Sequence, residues 1–183
     1  SMGGVDFDWA LGDVWFASVQ KCFGLPAGLA LLVCSPKALQ HAERLGDRAH
    51  YNSLLAIHEN AEKFQTHYTP NGLGIFLLNR VLLQVPPIAE VAENVRHRAA
   101  DWYRFLEEKT AWRLLVNNPA VRSDTVIAVG GEPAEIKALK TRCQAEGITL
   151  GNGYGAWKDT TFRIANFPAI DDAEIAELKK RLV

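Results

Sequence analysis

The chain has 183 residues, of which 48% are hydrophobic, enough for a buried core. Its 20 lysine and arginine residues against 21 aspartate and glutamate residues give a formal net charge of −1, which argues against nucleic acid or a membrane surface as a partner. Neither an apolar stretch of the roughly 20 residues that span a membrane nor a basic segment followed by an apolar one occurs, so we expect a cytoplasmic globular protein.

The cysteines do not suggest a metal site. Cys22, Cys34 and Cys143 are odd in number, and their spacing lacks the pairs that metal ligands show. We therefore expect reduced thiols, no disulfide and no bound metal.

A lysine at the end of an apolar strand is the first candidate for chemistry. Residues 13–18 predict a buried strand and residues 28–34 its partner. Lys21 lies between them, where Gly24 and Gly28 predict a tight, irregular loop. Neighbours at such a strand end are expected to desolvate the amine and favour the neutral, nucleophilic form that a Schiff-base lysine needs.

The next elements are predicted as two helices separated by a polar loop. A helix over 36–45 has Ser35 as its cap and Gly46 as its stop. Residues 46–70 have no clear period and predict a long loop of functional or partner-facing type. A second helix is predicted over 71–83, and the prolines at 86 and 87 mark the expected domain boundary.

Beyond this boundary the pattern predicts one long helix followed by a small α/β layer. The helix begins at Ile88 and carries one apolar stripe at spacings of three and four. The stripe comprises Ile88, Val91, Ala92, Val95, Ala99, Trp102, Tyr103 and Leu106. The segments after it predict strands over 112–116 and 125–129, a helix over 133–145, strands near Ile148 and over 160–165, and a last helix from Asp171 or Asp172 to Leu182.

Four ordered segments then point to a family. They are residues 18–29 (SVQKCFGLPAGL), 66–71 (THYTPN), 117–126 (NNPAVRSDTV) and the stretch from 153 (GYG) through 161–168 (TFRIANFP). In this order they resemble the class V aminotransferases that use pyridoxal phosphate, and within them the phosphoserine aminotransferase group. The resemblance covers nearly the whole chain but only the C-terminal half of a family subunit.

This resemblance implies an α/β fold of fold-type I, with residues 1–86 forming the C-terminal part of the cofactor-binding large domain and 87–183 the long helix and small domain. It implies transamination between an amino acid and a 2-oxo acid, most specifically between phosphoserine or 3-phosphohydroxypyruvate and glutamate in serine biosynthesis. Because full cofactor binding needs the N-terminal half, we expect the 183-residue piece to be inactive alone. A serine or alanine–glyoxylate aminotransferase is the alternative within the family.

The resemblance also assigns roles to individual residues. Lys21 would bind pyridoxal phosphate and shuttle the substrate proton, with Ser18 and Gln20 close to the cofactor phosphate. A turn-closing hydrogen bond is the alternative role for Ser18. Thr69 would bind the cofactor phosphate of a neighbouring subunit, which implies a homodimer with shared active sites. Arg163, in an otherwise apolar strand, would hold the substrate carboxylate in two bonds, and an internal salt bridge is its alternative role.

Other residues have weaker assignments. The family's asparagine before Thr69 is replaced by Tyr68. Asn166 and residues 153–155 would line the same opening of the active site as Arg163. Arg44, Arg48 and His50 are available to bind a substrate phosphate, but charged loop residues of this kind are most often simply solvated.

Two rival readings belong to other classes. A cysteine desulfurase needs a reactive cysteine on a mobile loop, and Cys143, the candidate, falls in the predicted helix over 133–145. The chain could instead be a folding or dimerisation module without activity, which cofactor absorbance would distinguish from an enzyme.

Overall fold

In the computed structural model, which describes residues 2–183, the first part of the chain is built on a two-stranded antiparallel ribbon. Strands β1 (Val14–Ser18) and β2 (Ala30–Cys34) pair from Val14 opposite Cys34 to Ser18 opposite Ala30. A short 3-10 helix, Trp9–Leu11, precedes the ribbon. Both predicted strands are confirmed, each one or two residues shorter than expected.

Three helices follow the ribbon, one more than predicted. Helix α1 (Pro36–Leu45) has the expected bounds, with Ser35 accepting from the Ala38 N–H and Gly46 in the left-handed region at φ 62°. Helix α2 (Leu54–Ala61) lies where a loop was predicted, so that prediction was wrong for the middle of 46–70. Helix α3 (Gly72–Leu82) starts at the Asn71 cap.

Helix α2 forms for local and tertiary reasons together. The Ser53 hydroxyl accepts a hydrogen bond from the Ala56 N–H and donates one to the Asp47 carbonyl at 2.5 Å. Leu55 is the buried side chain of the helix, and the other seven residues are only partly buried or exposed. One buried side chain cannot produce a periodic pattern of apolar residues, which explains why the sequence did not predict this helix.

Helix α4 (Ile88–Lys109) is the 22-residue helix predicted from the apolar stripe. Five stripe residues are buried: Ala92, Val95, Ala99, Trp102 and Leu106. Ile88, at the first turn, is instead 41% exposed. The stripe therefore packs inward from its second turn onward.

A four-stranded antiparallel sheet packs behind α4. Its strands are β3 (Arg113–Leu114), β4 (Val126–Gly130), β5 (Gly151–Asn152) and β6 (Thr161–Ala165), in the order β3-β4-β6-β5. Helices α5 (Pro133–Ala145) and α6 (Asp172–Leu182) complete this part. Strand β3 is shorter than predicted, and β5 lies three residues beyond Ile148.

The core of the second part is formed by α4, the sheet and the two last helices. Its fully buried large side chains include Trp102, Leu106, Ile127, Val129, Ile136, Leu139 and Phe162. The α/β class predicted from the alternation of strands and helices is confirmed. Among the described residues, no helix is both long and apolar enough to cross a membrane.

Candidate active site

Lys21 lies in the loop that joins β1 to β2, and backbone hydrogen bonds hold this loop in shape. The Val19 N–H donates to the Leu29 carbonyl at 3.2 Å, the Leu25 N–H to the Val19 carbonyl at 3.2 Å, and the Gly24 N–H to the Lys21 carbonyl at 2.9 Å. On either side of Lys21, Val19 and Cys22 are buried. The loop is thus anchored close to the lysine.

Two glycines make the loop possible. Gly24 has φ +65° and Gly28 φ +124°, both in the region that side chains disfavour. A Cβ at Gly24 would also lie 2.6 Å from the Ala169 side chain. The predicted tight path between the strands is therefore present and depends on glycine.

The side chain of Lys21 is exposed. The residues that the structure describes do not desolvate its amine, so that part of the sequence prediction was wrong. Within residues 2–183 the Nζ atom forms no hydrogen bond or ion pair. A primary amine left free in this way is chemically suited to condense with an aldehyde such as that of pyridoxal phosphate.

Ser18 and Gln20 stand on either side of the strand end. Ser18 is half-buried and opposite Ala30, and Gln20 is exposed. Neither side chain forms a hydrogen bond within the part of the chain that is described, so the turn-closing bond considered for Ser18 is not made there. A hydroxyl and an amide are available beside Lys21.

The Thr69 segment meets the Lys21 loop at the start of α3. Asn71 caps this helix by accepting from the Gly74 N–H at 2.9 Å, and a Cβ at Gly28 would lie 3.2 Å from Asn71 Nδ2. Thr69, two residues before the cap, is exposed. The glycine loop after Lys21 and the segment carrying Thr69 are therefore neighbours within one chain.

The two residues before Thr69 are engaged in local packing. Asn60 Nδ2 donates to His67 Nδ1 at 2.7 Å, and the Tyr68 ring stacks on Tyr51 with centroids 5.1 Å apart. These contacts fasten the segment to α2 and to the turn before it. They favour a structural role for His67 over acid–base chemistry.

Arg163 lies on β6, opposite Ala128 of β4 and Gly151 of β5. Its Nε donates to the Asn152 carbonyl at 2.6 Å, and its guanidinium carbon lies 4.2 Å from the centre of the Tyr154 ring. No carboxylate pairs with it among the described residues. The internal salt bridge that would have explained this arginine is absent from 2–183.

Asn166 does not line the opening of the active site, contrary to the sequence prediction. It is 0% exposed, and its Nδ2 donates to the Val95 and Asp124 carbonyls at 2.9 and 2.7 Å. Because both acceptors are backbone atoms far along the chain, no local pattern could have shown this structural role. Tyr154, by contrast, is 72% exposed and lies at the arginine.

Two of the three cationic candidates for a substrate phosphate are already paired. Arg48 makes two hydrogen bonds to Glu59, which lower the pKa of that carboxyl. His50 lies 3.0 Å from the Asp47 carboxylate and lowers its pKa by hydrogen bonding. Arg44 is exposed near the end of α1.

The cysteines are packed or partly packed, and all three are free thiols. Burial raises the pKa of the Cys22 and Cys143 thiols, which disfavours the thiolate. Cys143 lies in α5 and is fully buried. This placement argues against a cysteine desulfurase. Among the described residues, no group of three or more histidine, cysteine or acidic side chains is arranged to hold a metal ion.

A cavity of about 1020 Å³ lies beside the Lys21 loop. Its walls include Phe7, Phe23, Leu31, Val85 and Val91. Lys21, Thr69 and Arg163 are not among its lining residues. The predicted site residues therefore do not share this cavity.

Comparison with known proteins places the chain in a class. No family model matches it. Curated relatives that it resembles are the phosphoserine aminotransferase of Rhodococcus opacus (26% identical; 98% of this chain, 50% of the relative) and that of Corynebacterium glutamicum (27%; 96% and 49%). The chain spans about half the length of the curated relatives it matches.

Solved structures give the same result for the fold. The phosphoserine aminotransferase of Cytophaga hutchinsonii superposes with a TM-score of 0.82 at 32% identity, over 96% of this chain and 50% of that one. The alanine–glyoxylate aminotransferase of a Nostoc species has a TM-score of 0.83 at 21% identity, over 100% and 50%.

The fold is thus that of the fold-type I, pyridoxal-phosphate-dependent aminotransferases of class V, in its C-terminal part. Within that class the chain is phosphoserine aminotransferase-like and corresponds to the C-terminal half of a subunit. The family resemblance and the fold class predicted from the four sequence segments are both confirmed.

Proposed function

We propose that this chain supplies the C-terminal half of a cytoplasmic, pyridoxal-phosphate-dependent aminotransferase. The observation that carries the proposal is Lys21, an exposed, unbonded amine in a glycine-dependent loop, in a chain of which 98% aligns with phosphoserine aminotransferases. We further propose phosphoserine or 3-phosphohydroxypyruvate and glutamate as substrates, as in serine biosynthesis. The relatives are about twice as long as this chain. Below, the complete subunit means this chain joined to the other half that the relatives contain.

Pyridoxal phosphate, when bound, acts as the electron sink for the negative charge that develops at the substrate α-carbon. Lys21 would hold the cofactor and, once the incoming amino acid has displaced its amine, would take the proton from that carbon with the freed Nζ atom. Val19 and Cys22, on either side of Lys21, are buried and hold the backbone of the loop in place. The Lys21 amine therefore has a limited reach, which favours proton transfer at the substrate α-carbon. Ser18 and Gln20 offer donors to the cofactor phosphate.

Arg163 binds the substrate carboxylate. Its two terminal nitrogens have no partner within residues 2–183, while Nε is already bound to the Asn152 carbonyl. A guanidinium fork with a free edge matches a carboxylate in two charge-assisted bonds. The unpaired charge of this half-buried arginine is explained by a substrate anion.

Thr69 contributes to a second active site in a homodimer. Its hydroxyl is exposed just before the N-terminus of α3, where the positive end of the helix dipole suits a phosphate. Residues 1–86 are proposed to belong to the cofactor-binding domain, and 87–183 to the long helix and small domain.

The 183-residue chain alone is proposed not to catalyse transamination, because it spans half the length of its relatives. Titration of the isolated chain with pyridoxal phosphate, followed by visible absorbance and amino-acid addition, measures this directly. Stoichiometric cofactor binding with conversion of an added amino acid would refute the inactivity while leaving the aminotransferase proposal intact.

An amino-donor screen on the complete subunit tests the substrate. Phosphoserine with 2-oxoglutarate is expected to react with the highest kcat/KM, and serine or alanine with glyoxylate is the competing pair. A preference for glyoxylate would reassign the specificity. Of the three cationic candidates for a substrate phosphate, Arg48 and His50 are already paired with acidic side chains. No reaction with any amino donor would leave a folding or dimerisation module.

A further inference from the structure

The guanidinium of Arg163 is held on one edge and on one face. Its Nε donates to the Asn152 carbonyl at 2.6 Å, and the Tyr154 ring covers one face with 4.2 Å between the guanidinium carbon and the ring centre. Cation–π contact of this kind is attractive even at an exposed site. The two contacts restrict both the rotation and the tilt of the group.

The turn that carries Tyr154 is itself firmly placed. The Lys140 ammonium donates to Asn152 Oδ1 at 3.0 Å and to the Thr161 carbonyl at 3.1 Å, which ties the start of the turn to α5 and β6. A Cβ at Gly153 would lie 2.2 Å from the Trp157 carbonyl oxygen. The turn therefore closes tightly on itself, with Tyr154 at its outer side.

We infer that Tyr154 is a positioning residue that presents the free edge of Arg163 to a substrate carboxylate. The inference rests on the proposed function, in which Arg163 binds that carboxylate. Tyr154 acts through the arginine: its ring fixes the guanidinium plane, and the Asn152 carbonyl fixes its direction. The two terminal nitrogens keep no partner among the described residues, and a carboxylate meets a fork that has already lost its freedom of rotation.

The inference is tested on the isotopically labelled complete subunit with its cofactor bound, and L-glutamate is the probe. The Nε–H resonance of Arg163 reports glutamate binding by its shift and the order of the side chain by its exchange with water. Tyr154→Ala removes the ring, Tyr154→Phe keeps it, and Phe64→Ala removes an exposed aromatic ring elsewhere. Because Tyr154 is 72% exposed, the variants are expected to keep the fold, which the backbone spectrum checks.

Tyr154→Ala is expected to weaken glutamate binding about two- to fivefold and to speed exchange of the Arg163 proton, while the other two variants behave as the parent does. Unchanged binding and exchange in Tyr154→Ala, with binding lost in Arg163→Lys, would overturn this inference alone. Binding unaffected by Arg163→Lys, or no shift of Arg163 in the unsubstituted complete subunit, would overturn the carboxylate role of Arg163 and this inference with it.

Discussion

Asn166 Nδ2 donates a buried hydrogen bond to the Val95 carbonyl at 2.9 Å, across 71 positions of the chain. A second bond from the same amide reaches the Asp124 carbonyl at 2.7 Å. One side chain thus fastens the end of β6 both to α4 and to the segment before β4. The segment 161–168, which resembles the family, therefore contains both this structural asparagine and Arg163, the residue proposed to bind the substrate carboxylate.

Asn166→Ala is expected to lower the free energy of unfolding by about 1–3 kcal/mol, because it removes two hydrogen bonds that a fully buried amide makes. Thermal unfolding of the 183-residue chain measures the change, at roughly 2–4 °C per kcal/mol. Asn117→Ala, at an exposed asparagine, is the matched control. Equal melting temperatures for the two variants would show that the hydrogen bonds of Asn166 do not stabilise the fold.

The ion pair between Asp101 of α4 and Lys179 of α6 predicts a pH-dependent stability. Hydrogen bonds from Lys179, and then from Arg104, lower the pKa of the Asp101 carboxyl below its ordinary value of 3.8. A carboxyl whose pKa is lower when folded stabilises the fold above the unfolded pKa, and this stability is lost as the pH falls through the folded pKa.

Asp101→Asn is therefore expected to reduce the free energy of unfolding at pH 7 by at most about 1 kcal/mol, since the carboxylate is half exposed and screened by water. The difference from the parent should shrink as the pH is lowered below 3.8. Denaturant unfolding at several pH values measures it, with Glu93→Gln on the same helix as control. A difference that stays constant with pH would exclude the ion pair as its cause.

Lys21 is expected to carry the cofactor in the complete subunit. Borohydride reduction of the holoenzyme and peptide mapping should place the pyridoxyl label on Lys21, because its amine is free and its loop is anchored. Lys21→Ala should abolish labelling, whereas Lys63→Ala, at another exposed lysine, should not. A label on any other lysine ends this assignment.

Arg163→Lys is expected to weaken amino-acid binding by the complete subunit while the cofactor spectrum persists. Loss of a two-bond, charge-assisted pair costs on the order of 2–3 kcal/mol, about thirty- to a hundredfold in affinity. Spectral titration with the amino donor measures the change. Arg113→Lys, at an exposed arginine of the same sheet, is the control, and equal affinities in the two variants would show that Arg163 is structural.

Thr69 is expected to act across the dimer interface. In mixed dimers of the complete subunit, Thr69→Ala in one subunit should weaken cofactor binding at the Lys21 of the other, because the hydroxyl is proposed to bind the partner's cofactor phosphate. A dimer that pairs a Thr69→Ala subunit with a Lys21→Ala subunit has a single working lysine, on the Thr69→Ala subunit. This dimer should bind the cofactor normally if Thr69 acts across the interface, and weakly if Thr69 serves its own subunit. Loss confined to the subunit that carries Thr69→Ala would show that Thr69 serves its own site.

Local chemistry was sufficient for several elements. The bounds of α1 and α5 followed from proline at the first turn and from Ser35 and Gly46, because caps and breakers act within one turn. The stripe of α4 followed from its period. In contrast, β3 and β5 are short because their length is set by pairing with β4 and β6, and α2 has one buried leucine and therefore no period.

The sequence by itself determined the candidate chemistry: a lysine before a glycine loop, and an arginine in an apolar strand without an evident counter-ion. Only the tertiary structure decided what surrounds them. It left Lys21 exposed, buried Asn166 as a tie, and brought Asn152 and Tyr154 to Arg163. Residue type and spacing express local preferences, whereas burial and the direction of a side chain depend on segments that meet only when the chain folds.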